Sequence, residues 1–174
     1  RYYPHVSTTP VRGNLQTRIR KMEEGACDAL LLAKAGVLRM NNADLIRFEF
    51  PLDKLTPAAG QGSVAVEVHE TLTEEIKQRI RSAINDEVAE RTVLAERAFL
   101  HEMNGGCSIP VFAHAKIINE AIQLQGGILS LDGLTEIRNE QTGTKPTSLG
   151  KLLANDILTA GGKDILAGIK KGLE

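Results

Sequence analysis

Residues 111–141 read VFAHAKIINEAIQLQGGILSLDGLTEIRNEQ, and their turn chemistry restricts the fold more than any other stretch. Strand candidates span residues 111–118, 121–131 and 135–141. Asn119-Glu120 and Asp132-Gly133 separate them, and such short polar or glycine-containing pairs make hairpin turns. A three-stranded antiparallel meander is expected here. Helical patterns flank it. TLTEEIKQRIRSAIN has Thr71 and Glu74 at capping-box spacing, with Ile76, Ile80 and Ile84 on one face. A second helix is expected over 86–103, burying Val88, Ala95 and Phe99 and stopped by NGG. Helices over 148–159 and 163–173, separated by AGG, close the chain. The C-terminal half is therefore expected to be a small α+β domain.

The first third reads differently. In STTPVRGNLQTRIRKMEEGACDALLLAKAG, Asn14 is placed to cap a helix whose Leu15, Ile19 and Met22 share a face, and Gly25 to end it. Residues 29–33 then have the apolar character of a buried parallel strand, which completes a βαβ unit of α/β type. A short helix over 35–40 and the proline-punctuated FPLDKLTPAAGQG lead to SVAVEVH, where Val64, Val66 and Val68 alternate as in a half-buried strand.

Lysine and arginine number 21 against 22 acidic residues, a net charge of -1, so no global field draws the chain to nucleic acid or an anionic membrane. No run approaches the roughly 18 apolar residues of a spanning helix, and no signal-peptide pattern opens the chain. The reading is a cytoplasmic protein. The chain starts RYYPHVSTTPVRG without an initiator methionine, which suggests a portion of a longer protein. Cys27 and Cys107 lack disulfide-framework or zinc spacing. His5, His69, His101 and His114 show no metal-ligand spacing and no triad pattern, so no metal site is expected.

Three places carry possible chemistry. Arg12, Arg18, Arg20 and Lys21 occupy ten residues without an acid, starting at a strand-to-helix turn. Guanidinium forks and a helix N-terminus together suit a polyanionic small molecule, while a solvated helix face remains the plain alternative. Arg39 is open to the same two readings. The glycine loop PAAGQG, with Gln61 in it, is either a close-approach site or an ordinary entry to the next strand. Cys107, in EMNGGCSIP, is a sterically open thiol suited to a thioether. Its place after a helix C-terminus disfavours a thiolate, and a lone cysteine is often structural.

Three separated blocks, VRGNLQTRIRKMEEGACDALLLAKAGVLR, PAAGQGSVAVEV and ERAFLHEMNGGCSIPVFAHA, resemble the porphobilinogen deaminase family, also called hydroxymethylbilane synthase. The resemblance covers essentially the whole chain. It implies a transferase of tetrapyrrole biosynthesis that condenses four porphobilinogen units, with loss of ammonia, onto a cysteine-tethered dipyrromethane and releases hydroxymethylbilane by hydrolysis. It implies a dipyrromethane cofactor on Cys107. It places Arg12, Arg18 and Arg39 against carboxylates of cofactor and substrate, and Gln61 on the substrate side. It divides the chain into 1–55, the later half of a second domain, 56–82, a return segment of a first domain, and 83–174, the third domain. The first two domains of the family are of the periplasmic-binding-protein type. The family's catalytic aspartate precedes the matched region, so no catalytic residue is expected in this chain and the chain alone is expected to be inactive. The full-length protein is expected to be monomeric. Residues 29–33 and 64–68 are expected to pair with each other or with a neighbouring copy, since open strand edges self-associate. The competing class is a noncatalytic carboxylate-binding or interaction module with an idle thiol. A thiol hydrolase or redox protein lacks a CxxC motif and a placed partner.

Overall fold

The protein is described from a computed structural model covering residues 2–106 and 109–172. It divides into two compact units, Arg1–Phe50 and Pro51–Glu174.

In the first unit, α1 spans Leu15–Glu23 and α2 spans Lys34–Arg39. Asn14 caps α1 by accepting the Thr17 N–H at 2.8 Å, as its position predicts. At the other end the Gly25 N–H bonds to the Met22 carbonyl and the Ala26 N–H to the Lys21 carbonyl. This is the paired closure that a left-handed residue permits, and Gly25 has φ +85°. The expected strand at 29–33 is absent: Leu31 is 68% exposed, and residues 28–32 make no backbone hydrogen bond among the described residues. A strand is held by its ladder, and among the described residues this segment has none. Val37 is the unit's one buried residue among those described.

The second unit contains the expected meander. β1 (Val111–Ile118), β2 (Ala121–Leu129) and β3 (Glu136–Gly143) form an antiparallel sheet in the order β1-β2-β3. Ile118 pairs with Ala121, so Asn119 and Glu120 form a two-residue turn with φ of 47° and 65°, the mirror-image turn that matches strand twist. β2 stops at Leu129 rather than at 131, because Ser130 closes a loop against Thr135 and Leu131 and Leu134 face solvent.

Four helices accompany the sheet: α3 (Glu74–Ile84), α4 (Glu87–Glu102), α5 (Pro146–Ile157) and α6 (Lys163–Lys171). The cap of α3 is Thr73, which accepts the Ile76 N–H. Thr71 instead bonds His69, so the capping box expected at Thr71 and Glu74 does not form. Gly161, at φ +110°, turns the chain from α5 into α6. α4 and α5 cover one face of the sheet, and α6 adds Leu166 and Ile169 to the same core. Ala95 and Phe99 of α4 and its C-cap Met103, four residues apart, meet Leu149, Leu153 and Ile157 of α5 and Ala113, Ile122, Leu124 and Ile128 of the sheet. Val88 does not join them and is 55% exposed; it lies two turns before the stripe starts. The strand expected at 64–68 is also absent: the segment makes no backbone hydrogen bond among the described residues, and Val64 and Val66 are exposed. Neither 29–33 nor 64–68 is a strand among the described residues.

No helix among the described residues is long and apolar enough to cross a membrane.

Candidate functional site

The turn before α1 organises the first unit's cationic residues. Gly13 has φ +131°, a conformation closed to most side chains, and a Cβ there would lie 2.7 Å from the Thr17 methyl carbon. Around that turn Arg18 folds back, its Nε donating to the Gly13 carbonyl at 2.7 Å. Lys21 donates to the Arg12 carbonyl at 3.0 Å. The first turn of α1 is thereby tied to the segment that precedes it.

Arg39, in the last turn of α2, meets Arg18 across a cleft of about 310 Å³ that Gly13, Asn14, Leu32, Gly36 and Met40 help to line. The ion pairs within this unit are Arg20–Glu24 and Lys34–Glu49 among the described residues. Among the described residues, Arg18 and Arg39 thus present guanidinium groups without a carboxylate partner. Two guanidinium groups beside an apolar lining, Arg39 and Arg18 with its Nε already held by Gly13, suit a flat, carboxylated ring. Arg12 is exposed on the same turn and does not line the cleft.

Gln61 belongs to the second unit. It closes a turn in which its N–H bonds to the Ala58 carbonyl, and its side chain is exposed. Cys107 lies outside the described residues. Cys27 is half-buried and free. No cluster of metal-ligating side chains occurs among the described residues.

One residue escaped the sequence reading. Glu96 of α4 is 6% exposed. Its Oε2 accepts the Gly60 N–H at 2.6 Å and its Oε1 accepts the Ala115 N–H at 2.7 Å, while His114 Nδ1 stands 3.8 Å from Oε1. An acid between Ala95 and Phe99, beside a buried stripe, was the available signal.

Comparison with known proteins identifies the family of the chain. Residues 1–96 match the family model described as "Porphobilinogen deaminase, dipyromethane cofactor binding domain". The chain belongs to the porphobilinogen deaminase family. Residues 90–159 match that family's C-terminal domain, which contains the meander and α5. A porphobilinogen deaminase from Cytophaga hutchinsonii is 50% identical over 99% of this chain and 56% of its own length. One from Desulfosudis oleivorans is 47% identical over 98% of this chain and 56% of its own length. A third, from Carboxydothermus hydrogenoformans, is 39% identical over 97% of this chain and 54% of its own length. The chain thus spans just over half the length of these curated relatives.

Proposed function

We propose that this chain is the part of a hydroxymethylbilane synthase that holds the dipyrromethane group and binds the carboxylates of porphobilinogen. The observation that carries this is the meeting of Arg18 and Arg39, from two different helices, in one cleft without a compensating acid. Family membership supports it, because that cofactor names the domain matched by residues 1–96.

The cleft passes a simple test of fit. A dipyrromethane carries several carboxylates on planar rings, and the cleft offers two guanidinium forks, the N-terminal end of α1 and the apolar Leu32 and Met40. Arg18 and Arg39 would hold carboxylates there, with Arg12 contributing charge from the same turn. Cys107 would anchor the group by a thioether, and Gln61 would act on the substrate side. When bound, the group supplies the nucleophilic pyrrole carbon onto which porphobilinogen units are condensed. This chain's residues contribute orientation and charge neutralisation rather than proton transfer. Its first unit is read as part of a periplasmic-binding-protein-type domain, with domain divisions at 1–55, 56–82 and 83–174. A cytoplasmic, monomeric protein acting on a small molecule goes with that reading.

The test is porphobilinogen turnover by the protein at its natural length, with Arg39→Leu and Arg39→Lys variants. Leucine should lower kcat/KM by about ten- to a hundredfold, as expected for a lost charge-assisted pair. Lysine, which keeps the charge but not the fork, should fall between. Turnover untouched by Arg39→Leu would overturn the assignment of this cleft.

A further inference from the structure

We infer that Glu96 is a positioning residue for the turn that carries Gln61. β1 is an edge strand, and its outward N–H groups at Ala113 and Ala115 need acceptors. Both acceptors come from outside the sheet. Ala113 donates to the Pro57 carbonyl at 3.2 Å, and Ala115 donates to Glu96 Oε1. The other oxygen of the same carboxylate takes the Gly60 N–H. Residues 57–60 are therefore fixed to β1 and α4 at two points, one directly and one through Glu96. Gly60 has φ +75°, and the next residue is Gln61.

The chemistry of this link needs a carboxylate of glutamate length. Two N–H donors approach two different oxygens. An amide would set its NH₂ against one of them, and aspartate is one methylene too short to serve both. Burial sharpens the requirement at Ala115, where a donor left unpaired is not rescued by water. None of the residues expected to touch ligand includes Glu96, so its effect on the reaction passes through the turn.

This role rests on Gln61 acting on the substrate side, as proposed above, and the experiment separates the two claims. Amide exchange is measured on the protein at its natural length. The wild-type Gly60 amide should be protected, and Glu96→Gln should speed its exchange at least tenfold. The Leu124 amide of β2, unchanged, reports an intact fold. Glu96→Asp should give the same loosening and serves where the glutamine variant does not fold. A wild-type Gly60 amide that exchanges at the free-peptide rate, or one indifferent to both substitutions, overturns the clamp whatever the protein catalyses.

Kinetics decide the positioning role. Glu96→Gln and Gln61→Ala should each raise KM for porphobilinogen at least threefold, with a smaller change in kcat. The double variant should be no worse than Gln61→Ala, because coupled residues are not additive. Multiplicative losses would mean that Glu96 acts independently of Gln61 and would overturn the positioning role. A wild-type protein without porphobilinogen turnover would overturn the functional reading and this role together, and exchange at Gly60 would still judge the clamp.

Discussion

Gly150 of α5 lies against the backbone of Ala95 on α4, where a Cβ would come within 2.4 Å of the Ala95 carbonyl oxygen. The same Cβ would stand 2.7 Å from the Phe99 nitrogen, so the two helices touch through a position that admits only hydrogen. Glycine is unfavourable inside a helix by roughly 0.5–1 kcal/mol relative to alanine, yet overpacking at a rigid backbone contact typically costs about 1–3 kcal/mol. The contact should win. Gly150→Ala is expected to destabilise the second unit, read as a lower urea midpoint at unchanged slope. A midpoint at or above that of the wild type would show that α4 and α5 separate freely.

Arg18 and Arg39 are expected to act on the same ligand. Each removed singly by leucine should weaken binding of porphobilinogen, and the double variant should lose less than the product of the two, as residues sharing one partner do. Arg20→Leu is the control, since Arg20 pairs with Glu24 on the exposed face of α1 and such pairs contribute little. Equal losses from Arg20→Leu and Arg18→Leu would assign the effect to the charge of the helix as a whole.

The β2–β3 loop carries a pH dependence with a defined sign. The Ser130 hydroxyl and then the Leu134 N–H hold the Asp132 carboxyl below its ordinary value of 3.8. A depressed carboxyl stabilises the folded loop above its unfolded pKa and loses that contribution as the pH falls through the folded value. The loop over Ser130–Thr135 should therefore be indifferent to pH near neutrality and loosen only below about pH 4. Carboxyl NMR titration should place Asp132 below 3.8, and Ser130→Ala should move it up. An unmoved titration in that variant would remove the hydroxyl as its cause.

Much of the second unit was legible because its signals are local. Asn119-Glu120 and Asp132-Gly133 mark turns without reference to distant residues, and the spacing of Ala95 and Phe99 marks a buried helix face. The caps at Asn14 and Gly25 were legible for the same reason. Residues 29–33 and 64–68 show where local reading stops. Their apolar character calls for burial, but a strand exists only beside another strand, and composition does not say which one. Thr71 and Thr73 both precede α3, and the choice between them depended on His69 holding Thr71. Of the candidate site, the charges at Arg18 and Arg39 were visible as residue types, while their meeting required the turn from α1 to α2. Glu96 was invisible as a linker, because its two donors lie at Gly60 and Ala115, far along the chain on either side.

The covalent tether is the centre of the functional account, and intact mass with peptide mapping tests it most directly. The protein at its natural length, purified in active form, should yield a Cys107 peptide heavier by one dipyrromethane and a Cys27 peptide of unmodified mass. An active protein with an unmodified Cys107, or with the added mass on Cys27, would contradict the account.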